Sequence, residues 1–307
     1  MSYGVSFAVS ASLILVIGSN GATQEIVRDQ PNSNGAGRAV VLVAHEDDWQ
    51  LFMGDVIAGR IRAGDSVTFI YVTAGDDGRD SVYWLTRERA ALQSTRITSG
   101  IRTTDGSSDQ CSTVRVLAHA VRKCLIARTN SYFLRLPDGK RDGKGFVRYQ
   151  YQSLRKLRAN KIAAITTTDS SATYKGWTDL IATISTLIGS EKPDAAITLH
   201  VHDPSKASNP HDHFDHRMVG LLAYDMRKSK PWNTRFYVGY AVATHAANRS
   251  SGQARDKESL FLAYNNEMMR VNRAWSAYAE HPAFYSQCML RTYARTAPLV
   301  ARAGLSR

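Results

Sequence analysis

Cysteine and proline are scarce in this chain of 307 residues, which holds three Cys and eight Pro. No CxxC pair occurs, which argues against a thiolate zinc site. There is no GxSxG elbow for a serine hydrolase. There is no GxxxxGK[ST] phosphate loop, and no GxGxxG follows a strand. Internal repeats are missing too. Acidic residues are outnumbered, 27 Asp plus Glu against 39 Lys plus Arg, for a formal charge of +12. That balance favours anionic surroundings, and an anionic polymer is one partner it suggests. The basic residues are scattered, however, and the densest runs, Arg135 to Lys144 and Arg155 to Lys161, are short. With no zinc finger, basic zipper or RNA-binding aromatic signature, no nucleic-acid partner is expected. Hydrophobic residues make up 43% and charged residues 21%, so a sizeable core is available and the disordered class is excluded.

Long apolar runs are also rare. Val5 to Ile17 has the length of a signal-peptide h-region and is short for a membrane span. Val16 and Gly18 suit the −3 and −1 positions of a cleavage site, although no Lys or Arg precedes the run. Residues 1–18 are therefore expected to be a signal peptide, with an uncleaved anchor as the rival, and the protein to be secreted or held in the cell envelope. Residues 19–37 have linker composition. A single domain is expected over residues 38–307. Export permits one disulfide among Cys111, Cys124 and Cys288, and the first two suit facing strands of a hairpin.

Ala39 to Ala44 and Ser66 to Val72 are continuous β-branched runs, the pattern of buried parallel strands. Helical spacing follows each, over Asp48 to Ala63 and Trp84 to Ile97. This order predicts an α/β fold with a mostly parallel sheet and right-handed crossovers. Val114 to Leu136 is β-rich and reads as an antiparallel insertion, ended by a turn at Pro137-Asp138-Gly139. Further helices are expected over Thr178 to Gly189, His213 to Lys228 and Ser259 to Glu280. Strands are expected over Ala195 to Leu199 and Arg235 to Tyr240.

Two clusters carry chemistry. Ala44-His45-Glu46-Asp47-Asp48 follows the first strand and opens a helix, at the sheet edge where ligands bind in open α/β folds. His45 and Asp48 suit a divalent metal, and Asp47 stays free to accept a proton. An acidic helix start accounts for the same residues. Five of the nine His, residues 200, 202, 211, 213 and 216, fall just after the strand at Ala195 to Leu199. His213 and His216 are three apart, on one face of a helical turn. A solvated His run is the plainer reading of this window alone. Together the clusters fit a metal site with an open position, able to hydrolyse an amide or ester.

The series AHEDD, LFM, the loop Thr73-Ala74-Gly75-Asp76-Asp77-Gly78, the segment YWLTRE and HFDH resembles the PIG-L/LmbE-like de-N-acetylases from about Val40 to Tyr240, and looks closest to their secreted branch. The resemblance implies a Rossmann-like fold, one Zn²⁺ and removal of the acetyl group from an N-acetylglucosamine unit of a sugar or glycoconjugate. It implies zinc ligands at His45, Asp48 and His216, and a general base at Asp47. It further implies an oxyanion-stabilising imidazole at His213, a carboxylate tuning that imidazole at Asp215, and a substrate contact at Arg87, for which a salt bridge to Glu88 or another neighbour is the alternative. Two departures stand out. Glu46 and Trp49 replace the Pro and the final Glu of the commonest first motif, and Phe214 replaces the Pro of HPDH. Trp49 suits either the sugar cleft or the core. An amidase on another N-acyl amino-sugar conjugate, or an inactive carbohydrate-binding protein, are the rival readings.

Overall fold

The computed structural model describes residues 37–101, 110–190, 197–229 and 232–296. The expected signal peptide and nearly all of the expected linker lie outside them. In chain order the elements are β1 (Arg38–Val43), α1 (Asp48–Arg62), β2 (Ser66–Thr73), α2 (Ser81–Thr98), β3 (Gln110–Val116), β4 (His119–Ile126) and β5 (Thr129–Leu136). Then come α3 (Leu154–Arg158), β6 (Ala164–Thr166), β7 (Thr173–Lys175), α4 (Gly176–Ser190), β8 (Ile197–His202), α5 (Phe214–Arg227) and β9 (Asn233–Tyr237). The last are α6 (Ser251–Val271), α7 (Ala277–Glu280), α8 (Pro282–Met289) and β10 (Ala294–Thr296).

Eight strands form one sheet in the order β10-β9-β8-β1-β2-β5-β4-β3, and β6 pairs with β7 apart from it. Pairing is parallel from β9 through β8, β1 and β2 to β5, and antiparallel at both outer ends. The α/β, mostly parallel architecture read from the sequence is the one observed. The two-residue period of β1 divides the core. Val40, Leu42 and Ala44 join the layer that includes α3, α4 and α5, while Ala39, Val41 and Val43 join the layer under α1. From β1 the chain runs outward to β2 on one side, and β8 lies on the other. This reversal opens a crevice at the carboxyl ends of β1 and β8.

The antiparallel insertion read from the sequence is present as β3, β4 and β5, which start at Gln110 rather than Val114 and extend the main sheet through β5, parallel to β2. Three other expectations need correction. Strand β8 runs on to His202, because β1 on one side and β9 on the other supply ladder partners beyond Leu199. His200 and His202 are therefore buried strand residues rather than loop residues. Strand β9 covers Asn233 to Tyr237 and stops short of Tyr240. The long C-terminal helix starts eight residues early, at Ser251, where Ser250 and Gln253 form a reciprocal capping box. It ends at Val271, because Asn272 turns extended and caps the next short turn. Cys111 lies opposite Cys124 in the β3–β4 register, and the two form the disulfide expected for them. Among the described residues no helix is long and apolar enough to cross a membrane.

Candidate metal centre

The turn after β1 delivers His45, Asp47 and Asp48 to the crevice. Asp47 occupies the N-cap of α1, yet its side chain makes no capping hydrogen bond. Its carboxylate instead accepts from Arg87 Nη2 at 2.6 Å. Asp48 Oδ2 accepts the His45 backbone N–H at 2.7 Å and faces His202 Nε2 at 2.9 Å. Asp48 Oδ1 faces His216 Nε2 at 2.9 Å and His45 Nδ1 at 3.5 Å. The two imidazoles meet at 3.2 Å, His45 Nδ1 to His216 Nε2.

The other ring nitrogens settle where the protons sit. His216 Nδ1 faces Asp212 Oδ1 at 3.0 Å, so the proton belongs there and Nε2 presents a lone pair. His45 Nε2 faces Asp138 Oδ2 at 3.6 Å and Asp215 Oδ2 at 3.7 Å, which draws its proton outward and leaves Nδ1 bare. With a cation in place of the second proton of each imidazole, three donor atoms converge on one point, at spacings of 2.9, 3.2 and 3.5 Å. A tetrahedral ion with bonds of 2.0–2.1 Å sets its ligand atoms about 3.3 Å apart. The residues present fit a small divalent cation. Their electrostatics agree. Burial opposes charge on His216, but Asp48 and Asp212 push it up to about 10. Burial likewise opposes ionisation of Asp48, and His216, His202 and His45 hold it well below the usual carboxylate range. The pocket calls for positive charge.

His213 caps α5, its Nδ1 accepting the Asp215 backbone N–H at 3.1 Å. The ring proton therefore sits on Nε2, which points toward Asp138 Oδ1 at 3.7 Å. Burial, then the neighbouring His45, push His213 down to about 4, so at neutral pH it is an uncharged N–H donor. Asp215 is fully buried. Its Oδ2 accepts the Gly139 N–H at 2.7 Å and lies between His45 and His213, 3.7 and 3.9 Å away. A side chain at position 139 would collide with it, since an added Cβ would run into Asp215 Oδ1.

Arg87 bridges Asp47 and Glu46, with its Nε 3.0 Å from Glu46 Oε2. The expected alternative of a bridge to Glu88 does not hold, because Glu88 is taken by Arg135 at 2.6 and 2.8 Å. Gly75, at φ +51°, lets the loop after β2 close on this pair. Burial pushes Glu46 up to about 8, with Arg87 acting against it. Trp49 is fully buried against Phe69 and belongs to the core, not to a cleft. Asp76 is buried and accepts the backbone N–H of Asp138 and Gly78, whereas Asp77 is exposed.

The structure thus gathers all seven sequence-predicted residues: His45, Asp47, Asp48, Arg87, His213, Asp215 and His216. It adds three. Asp212 and His202 support His216 and Asp48. Asp138, read from sequence as part of a turn, faces both His45 and His213. Asp212 precedes His216 by four, a helical spacing that marks it in retrospect. Asp138 carries no such signal.

A family model described as GlcNAc-PI de-N-acetylase, PIG-L, matches residues 40–226. Among curated proteins none matches. Solved structures with a similar fold include the N,N'-diacetylchitobiose deacetylase of Pyrococcus horikoshii, 14% identical over 86% of this chain and 84% of that one, with a TM-score of 0.44. A deacetylase of the teicoplanin biosynthetic pathway is 12% identical over 85% and 99%, with a TM-score of 0.48. The 4-carboxy-2-hydroxymuconate hydratase of Pseudomonas putida KT2440 is 12% identical over 81% and 82%, with a TM-score of 0.40. An anionic-polymer reading of the net charge finds no support in these matches.

Proposed function

The chain belongs to the PIG-L family of GlcNAc-PI de-N-acetylases, and from that premise we propose that this deacetylase hydrolyses the acetamide of an N-acetylglucosamine-type sugar or glycoconjugate, releasing acetate. The observation that carries the reading is the convergence of three bare donor atoms beside a carboxylate that its own helix leaves unused.

His45, Asp48 and His216 would hold one Zn²⁺, a choice supported by two imidazoles and one carboxylate at tetrahedral spacing. Bound there, the ion supplies a Lewis acid for the acetamide carbonyl and acidifies water. Asp47 takes the proton from the attacking water and passes it to the departing amine, so one C–O bond forms and the C–N bond breaks. Arg87 fixes the Asp47 carboxylate through Oδ1. The Nε2–H of His213 donates to the oxyanion as the carbonyl turns tetrahedral. Asp138 and Asp215 keep the proton of His45 on its outward Nε2, and Asp138 faces the Nε2–H of His213. Export completes the proposal, to the cell envelope or beyond. The apolar run Val5 to Ile17 and the Cys111–Cys124 disulfide support an oxidising destination.

The test is acetate and free-amine release from a panel of N-acetylglucosamine conjugates, run with zinc, after chelation and with Asp47→Asn. Zinc-dependent release that the variant loses is the expected result. Failure of the protein to bind any divalent metal would overturn the proposal.

A further inference from the structure

An arginine commonly gives its Nε–H and one neighbouring Nη–H, side by side, to the two oxygens of a single carboxylate. Arg135 does so with Glu88, at 2.6 and 2.8 Å, and Arg295 with Asp203, at 2.7 Å for both bonds. Arg87 departs from that pattern. Its Nε donates to Glu46 Oε2 at 3.0 Å and its Nη2 to Asp47 Oδ1 at 2.6 Å, so one edge of one guanidinium is divided between two neighbouring residues. The division leaves an oxygen bare on each carboxylate. Glu46 Oε1 is buried with no hydrogen-bond partner among the described residues, and among them Asp47 Oδ2 accepts no hydrogen bond either. A buried, unpartnered oxygen on Glu46 is destabilising, and a two-bond pair with Arg87 would have avoided it. The surroundings nevertheless hold the division in place. The Glu46 carbonyl accepts Gln50 Nε2 at 3.0 Å, and the same amide reaches Ser94 on α2, the helix that carries Arg87. Gly75 closes over the Arg87–Glu46 bond so tightly that a Cβ there would lie 2.7 Å from Oε2 and 2.8 Å from Nε. The Tyr264 ring covers the guanidinium, 5.8 Å from its Cζ.

Building on the deacetylase reading above, we infer that Glu46 is a positioning residue: it occupies the Nε–H of Arg87, so that Arg87 steadies Asp47 through Oδ1 alone and leaves Oδ2 free to take the proton of the attacking water. The guanidinium is planar, so a bond at Nε also fixes where Nη2 points. Without an acceptor at position 46 the whole edge of Arg87 becomes available to Asp47. The Nε–H then engages Oδ2, which no longer faces the water. Glu46 Oε2 accepts the Nε–H whether or not Oε1 carries a proton, so the role rests on the acceptor atom and its place rather than on the charge.

The test compares wild type with Glu46→Leu, which keeps bulk but removes the acceptor, and with Glu46→Gln, whose amide oxygen still accepts the Nε–H. On an N-acetylglucosamine conjugate that the wild type deacetylates, Glu46→Leu is expected to lose about ten- to a hundred-fold in kcat, with KM and zinc content near wild type. Glu46→Gln is expected to restore most of that loss. A Leu variant with wild-type kcat, a Gln variant as slow as the Leu variant, or a loss of kcat matched by a loss of zinc overturns the inference. A second measurement needs no turnover and separates this inference from the proposed activity. Hydrogen exchange of the Arg87 Nε–H is followed by NMR in protein with isotope-labelled arginine, the signal being identified by its absence from Arg87→Lys. The proton should stay protected in Asp47→Ala, because Glu46 holds it, and lose protection when Glu46→Leu is added. Loss of protection in Asp47→Ala alone overturns the role of Glu46 even where acetate is released. Protection that depends on Glu46, with no acetate released from any sugar, sustains the hold on Arg87 and counts against the deacetylase reading alone.

Discussion

Helix α1 borders two clusters of buried charge that are built on opposite plans. Two turns into the helix, Asp55 accepts from Arg249 Nη1 at 2.9 Å and from Thr292 Oγ1 at 2.7 Å. Lys257 donates to Cys288 O at 2.8 Å and Thr292 Oγ1 at 3.1 Å. Every one of these charged groups has a partner, and the network ties α6 and the C-terminal segment to α1. At the first turn, around Asp48, the plan is reversed. His45 Nε2, Glu46 Oε1, His202 Nδ1, Asp212 Oδ2 and Asp215 Oδ1 are buried without a hydrogen-bond partner among the described residues. A closed network needs nothing more and serves stability. An open one leaves desolvated groups in want of partners, the arrangement that a bound cation and substrate would complete.

The contrast can be broken from either side. The largest effect is expected from Asp47→Asn, which should lower kcat by about 10²–10⁴-fold. Metal content, read by atomic emission, and the melting temperature should stay near wild type; a large loss of stability would place Asp47 in the scaffold instead. Asp55→Ala should do the reverse. It leaves Arg249 and Lys257 buried without their carboxylate and should cost about 3–5 kcal/mol in urea unfolding. Activity per folded molecule should hold at temperatures well below the transition. Asp212→Asn is expected to weaken zinc affinity by about 10–100-fold in competition with a chelator, since it releases the His216 tautomer. An unchanged affinity would mean that Asp212 supports only the Gly239–Tyr240 turn. The smallest effect sits in the closed network. Burial pushes Lys257 down to about 8 from 10.5. Between those pH values the unfolded chain binds the extra proton, so stability should rise with pH through that window, by at most ~1.4 kcal/mol per unit. Lys257→Met should flatten that slope in pH-dependent urea melts.

The closed network left no trace in the sequence, whereas the open one was largely legible. His45, Asp47 and Asp48 sit within four residues after an apolar strand, and His213, Asp215 and His216 within four at a helix start. Short motifs next to strand ends survive reading because the local chain places them. Asp138 and His202 reach the same point through pairings between β5 and β2 and between β8 and β1, which no local pattern encodes. The parallel strands announced themselves as unbroken β-branched runs. The meander's boundaries did not, since its two-residue turns place Leu117 and Ala127 at positive φ, where a Gly or Asn signal is usual. The early start of α6 was written in Ser250 and Gln253, a capping pair that hydrophobic spacing alone passes over.

The Cys111–Cys124 bond joins β3, the outermost strand among the described residues, to its neighbour β4. A slip of β3 by one residue would turn Val114 and Val116 away from the apolar layer they now touch and present them to water. The covalent link forbids that slip. It also denies the strand the freedom to peel off and pair with another chain's edge, the common route from an open sheet to aggregates. In a reducing medium the protein should therefore first betray itself by clumping, before its catalytic residues have moved at all.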